Sequence, residues 1–174
     1  QIYYKGILTP DSGAYQYLTD LNAAYGGRYD SDYVKQTVSH NGLLIYNPDM
    51  ADKTVWLYSG GQKLTVGENG TLAQWLEKTT ARQATALGHD WAYDEDGNVI
   101  YAYASSDITN AYDTATVDLV MRSTISIETG NPDQPLLFIV YDRIISDDAS
   151  FKKTYLLHTM DDPTFFGGSA STDS

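Results

Sequence analysis

The chain has no cysteine. That excludes a disulfide framework, a thiolate nucleophile and cysteine-based zinc spacings, and it fits the cytoplasm and many secreted bacterial proteins equally well. Positive charge is scarce: 11 Lys and Arg stand against 23 Asp and Glu, a net charge of -12 over 174 residues. Nucleic acid, whose phosphates demand a basic patch, is therefore not an expected partner. No Lys/Arg cluster offsets the balance. If the partner is another polyanion, a different part of a larger protein has to supply the positive charge. Long apolar runs are lacking as well. The longest, Leu136 to Tyr141, falls far short of the roughly 20 residues a membrane-spanning helix needs, so no membrane association is expected. The opening residues carry no charged-then-apolar leader and run directly into strand-like sequence, and nothing in them fixes a compartment. There is no G-x-S-x-G elbow, no P-loop and no G-x-G-x-x-G.

What is present reads as one globular domain. Hydrophobic residues make up 42% and charged residues 20%, ordinary proportions for a chain that buries a core. Fifteen tyrosines, many β-branched residues and frequent turn signals favour strands. The expected strands are Gln1 to Leu8, Thr37 to Tyr46, Thr54 to Tyr58, Val99 to Tyr103, Thr116 to Glu128, Leu136 to Ile145 and Lys153 to Thr159. Asp96-Gly97, between "WAYDE" and "NVIYAY", predicts a hairpin turn, and long strands joined in this way predict an all-β antiparallel sandwich. The alternation in "TVDLVMRSTISIE" predicts a strand with one buried face. One short helix is expected over Leu72 to Lys78, opened by the capping-box pair Thr71 and Gln74. Gly60-Gly61 reads as a turn. The tail "GGSASTDS" is small and polar, and it together with the abrupt strand at Gln1 suggests a piece of a longer protein.

Only three histidines occur, and His40 stands at the mouth of an apolar run in "TVSHNGLLIY". On residue chemistry alone a packed histidine with a backbone partner competes with a metal ligand there, and Asn41 beside it could accept or donate locally and fix the His40 ring under either reading. Asp11, between Pro10 and Gly13 in "GILTPDSGAY", reads first as a turn residue bonding its own backbone, and Tyr15 as a half-buried strand tyrosine. His89 and Asp90 precede the acidic run Asp94, Glu95 and Asp96. That run lacks the alternate ligand positions and distal glutamate of a calcium loop and reads as a solvated hairpin tip. His158 becomes a metal candidate only if the fold brings it to the others.

Five stretches then stand in one order: "QIYYKGILTPDSGAY", "TVSHNGLLIY", "SGGQKL", "SSDITNAY" and "LLFIVYDRIISDDASFKKTYLLHTMDDP". In that order the chain resembles the back half of the heparinase II/III-like polysaccharide lyases, most closely the heparinase II branch. The resemblance implies a two-part enzyme, an N-terminal α/α toroid packed on a C-terminal β-sandwich with anionic polysaccharide bound between them. Such enzymes cut uronic-acid polymers by β-elimination: the uronate carboxylate is neutralised, a base takes the C5 proton and an acid protonates the leaving oxygen, roles that phenol and imidazole groups suit.

The resemblance also implies a zinc held by two histidines and an aspartate. Asp11 matches the aspartate of its "DSG" and His40 the histidine of its "AHN", with Ser39 where alanine is common. The other histidine belongs to an "H-x-D-A-G-x-F" motif ahead of Gln1, and the catalytic residues lie mainly in the toroid. Tyr15 becomes a substrate-contact candidate, while His89 and His158 remain structural. The expectation is a sandwich over residues 1–166 with a flexible tail over 167–174, from a periplasmic or secreted bacterial lyase, inactive by itself and holding zinc weakly or not at all. The alternative is a non-catalytic carbohydrate-binding or structural β-sandwich. A more distant one is a non-lyase member acting on other glycans.

Overall fold

The computed structural model describes residues 2–3, 7–10, 33–50, 59–63 and 84–160. Eight strands lie among them: β1 (Ile2–Tyr3), β2 (Ile7–Thr9), β3 (Leu43–Tyr46), β4 (Thr85–Tyr93), β5 (Val99–Asp107), β6 (Val117–Glu128), β7 (Leu136–Ser146) and β8 (Lys152–Tyr155). Every pairing is antiparallel, in the ribbons β1–β2 and β3–β8 and in a four-stranded sheet of order β4-β5-β6-β7. The fold is all-β and sandwich-like, and no α-helix occurs among the described residues. The helix expected over Leu72 to Lys78, the strand expected over Thr54 to Tyr58 and the 167–174 tail lie outside those residues.

The four-stranded sheet is a meander, and its tight connections follow from turn chemistry. Between β4 and β5, Gly97 takes φ 84° and its N–H donates to the Asp94 carbonyl at 3.1 Å, a left-handed position that glycine adopts without a Cβ clash. The Asp94 carboxylate accepts from the backbone of Asp96 and Asn98 and from the Asn98 amide. The acidic run is thus the hairpin tip expected from sequence.

Three strand expectations need correction. The run Gln1 to Leu8 is divided between the paired strands β1 and β2. Thr37–Ser39 is a single 3-10 turn, not the start of β3. There the buried Ser39 hydroxyl lies 3.0 Å from the Val34 carbonyl and 2.9 Å from that of Gln36, a local side-chain bond that competes with a strand ladder. Strand β4 was not among the expected strands, because Gly88, His89 and Asp90 break its apolar alternation.

The core sits where the β3–β8 ribbon crosses the β6–β7 end of the sheet. Leu43, Ile45, Tyr112, Val117 and Val120 form it, with Ile108, Ala111, Ile144 and Phe151 packed around them. Register places Val120 opposite Ile144 and Arg122 opposite Asp142, so these side chains share the face turned to the ribbon. Away from that end the burial expected along β6 fades. Val117 and Val120 are buried, but most residues beyond them are only half-buried.

Candidate functional site

The β3–β8 ladder sets the site. Leu43 pairs with Tyr155 and Tyr46 with Lys152, and the Leu156 N–H donates to the Gly42 carbonyl at 2.9 Å. Beyond the end of the ladder lie His40 and Asn41, ahead of β3, and His158, after β8. His40 closes the Thr37–Ser39 turn, its N–H donating to the Thr37 carbonyl at 3.0 Å, in extended geometry with φ -118° and ψ 161°. Its side chain is half-buried.

Asn41 joins three parts of the chain. Its Nδ2 donates to the Pro10 carbonyl at 3.1 Å. Its Oδ1 accepts the His158 backbone N–H at 2.6 Å and lies 3.3 Å from His158 Nδ1. Its own carbonyl accepts from Arg122 Nη1 at 3.4 Å. Asn41 was expected to orient the ring of His40; the ring that its amide meets is that of His158, 117 residues away. Asp11 and Tyr15 lie outside the described residues, so the structure speaks to this part of the chain through Pro10 alone.

Arg122 forms the base of the cluster. Its Nε and Nη2 hold both oxygens of Asp142, at 2.7 and 2.9 Å, a two-point fork that fixes both planes. The guanidinium carbon stands 5.5 Å from the Tyr155 ring centroid, within cation–π range. Burial works against the Arg122 charge, but the Asp142 bonds and charge hold its pKa above the ordinary arginine value. Burial raises the phenols of Tyr155 and Tyr112, with Arg122 pulling the other way. Arg122 is therefore already committed to Asp142 and is a structural cation here.

His89 lies elsewhere, on β4, its ring stacked on Trp91 at 5.4 Å with a 9° interplanar angle. Both side chains are exposed, Trp91 at 52%. Beside them Asp90 accepts the Tyr101 hydroxyl at 2.7 Å and raises its pKa. Gly60-Gly61 is a close approach to β3: a Cβ on Gly60, φ 81°, would come within 2.6 Å of the Ile45 carbonyl oxygen.

No group of three or more His, Asp or Glu side chains suited to a metal occurs among the described residues. Imidazole nitrogen and carboxylate oxygen are nevertheless the donors zinc takes. His40, half-buried at the strand mouth, fits that chemistry.

Sequence reasoning singled out His40 and Asp11 but missed Arg122, Asp142 and Tyr155, and it left His158 structural. The "YDR" and "LLH" stretches were visible, yet only the pairing of β3 with β8 and of β6 with β7 shows that they converge. The sequence matches no protein-family model and no curated protein.

Proposed function

We propose that this chain is the C-terminal β-sandwich part of a polysaccharide lyase that cleaves uronic-acid polymers, glycosaminoglycans such as heparan sulfate, by β-elimination. The observation that supports it most is the joint at Asn41. Pro10 immediately precedes Asp11, Asn41 immediately follows His40, and the two share a 3.1 Å hydrogen bond. The flanks of the two ligands implied by the resemblance are thus tied together across the fold. In this reading Asp11 and His40 contribute to a zinc site, the metal lending its binding energy to the local structure. Tyr15 contacts substrate, and the toroid supplies the proton-transfer residues and the positive charge that a chain of net charge -12 lacks. A bacterial periplasmic or secreted setting belongs to the same proposal.

Elimination leaves an unsaturated uronate that absorbs in the ultraviolet, so the test is direct. A protein carrying a toroid domain ahead of Gln1 should generate that absorbance from heparan sulfate, chondroitin sulfate or alginate. The 174-residue chain alone should not. Turnover by the chain alone, or none by the longer protein on any of the three polymers, overturns the reading.

One observation favours the second reading, a non-catalytic carbohydrate-binding domain. The stacked and exposed His89–Trp91 pair offers a flat face to a sugar ring. In that case the isolated chain binds a glycan and Trp91→Ala abolishes binding while Asp11→Asn does not.

A further inference from the structure

We infer that the outer edge of β7, over Leu136 to Asp142, pairs with β7 of a second copy of this chain. The two strands run antiparallel about a two-fold axis near Ile139, whatever chemistry the parent protein performs.

The four-stranded sheet has two edges, β4 and β7, and they are built differently. A free edge offers a row of unpaired N–H and C=O groups, which natural sheets blunt with bulges, charge or proline. Strand β4 is blunted. Its register against β5 slips at Ala86/Gly88 and again at Ala92/Tyr93, and the Asp90 carboxylate stands between the two slips. Strand β7 is not. It holds one register with β6 from Leu136 to Ile145, and "LLFIVYDRIIS" contains no proline, glycine or lysine. Among the described residues no strand pairs with its outer side; β8, which follows after a short loop, crosses to β3 instead. An edge this long and regular is a template for another strand.

Side chains decide which strand it takes. Alternation places Leu137, Ile139 and Tyr141 on one face and Phe138 and Val140 on the other, and all but Val140 are exposed. Opposite side chains in a strand pair stand about 4.5–5.5 Å apart at Cβ, so an edge apolar on both faces is matched by a strand of the same kind. Leu136 to Tyr141 is itself such a strand. A two-fold at Ile139 sets Ile139 against its own copy, Leu137 against Tyr141 and Phe138 against Val140, an isologous contact that closes on itself. Charge agrees with this choice. Strand β7 carries one acid, Asp142, and one base, Arg143, and Asp142 is held in the Arg122 fork. The edge is locally neutral in a chain of net charge -12. Neither a basic nor an acidic strand gains there, and two copies meet where they repel least. Beyond Asp142 the strand turns to another task, with Ile144 packed on the core, so the open stretch is centred on Ile139.

The experiment uses the full chain, from low salt to about 1 M, where repulsion reaches only about 3 Å. Sedimentation velocity should show monomer giving way to dimer as salt rises. In the dimer, hydrogen exchange should slow by about tenfold or more at alternate β7 amides, those turned outward, and not at β4. Adjacent residues point their N–H groups to opposite sides of a strand, so of Ile139→Pro and Val140→Pro one removes an edge donor and the other a donor to β6. The edge variant should keep the wild-type thermal midpoint and lose the dimer, and the other should lower the midpoint. Should both lower it, spin labels outside the paired stretch decide, since the chain has no cysteine of its own. Labels at Ile145→Cys should lie about 14 Å farther apart between copies than labels at Arg143→Cys, four residues of strand rise. A wild type that stays monomeric at 1 M salt, or equal label distances, overturns the inference. Association that leaves the β7 amides unprotected overturns it too and assigns the contact to the sheet face.

Discussion

Tyr112 stands where the sheet, the β3–β8 ribbon and the β5–β6 connection meet. Its side chain is 1% exposed and its hydroxyl donates to the Leu43 carbonyl at 3.0 Å. Removing only the hydroxyl, Tyr112→Phe, should cost about 1 kcal/mol, the net worth of one buried hydrogen bond. Tyr112→Ala should cost about 3–5 kcal/mol because it also opens a cavity. Urea unfolding separates the two, and equal losses would mean that the ring packs for nothing. Arg122 follows a different rule. Its side chain and that of Asp142 are 20% and 13% exposed, so Arg122→Met leaves a carboxylate largely shielded from water. The expected loss is about 2–3 kcal/mol, below the 3–5 kcal/mol of a fully buried pair. Asp142→Asn together with Arg122→Met should recover part of it in a double-mutant cycle. No recovery would show that the fork is not a coupled pair.

Turns are the elements most open to pH. Asp94, Asp107 and Asp148 each accept hydrogen bonds inside a tight turn, chiefly from Asn98, Thr109 and Ser150, and each pKa is lowered. A carboxyl lowered on folding stabilises the native state above its unfolded pKa, and that contribution is lost as pH falls through the native value. The thermal midpoint should therefore drop as pH falls below about 4. The triple variant Asp94→Asn, Asp107→Asn and Asp148→Asn should show a shallower drop, and parallel profiles would remove these turns as its cause. The same turns show what the sequence made legible. "DEDGN" announces a hairpin by local chemistry, since Gly97 alone can take φ 84° there at no steric cost. "TVSHN" misleads, because strand propensity is local and the Ser39 hydroxyl bonds that override it depend on how the chain turns. His40 was visible as a candidate from its rarity and its position. The contact of the adjacent Asn41 with His158 was not, because a contact spanning 117 residues leaves no periodic trace in sequence.

Across the whole molecule two surface properties oppose one another. Beyond the core the four-stranded sheet leaves apolar side chains in water: Leu137, Ile139, Tyr141 and Ile145 on β7 are each more than 40% exposed, Tyr141 at 65%. Alternation along the strand puts these four on one face. Register adds Ile125 and Ile127 from β6 to that face, and a stripe of this kind draws like surfaces together. Against that attraction stands a net charge of -12, whose repulsion reaches about 30 Å at 0.01 M salt but only about 3 Å at 1 M. The isolated chain should therefore stay monomeric at low ionic strength and associate as salt is added, the reverse of an assembly held by ion pairs. Sedimentation velocity across that salt range reads the balance directly. Ile139→Ser with Tyr141→Lys on the exposed face should suppress association at 1 M salt without changing the low-salt monomer. Association that weakens with salt, or that survives the double variant unchanged, would mean that the sheet face does not drive it. A domain packed over the same residues should remove the salt response altogether, because the apolar stripe would then no longer meet water.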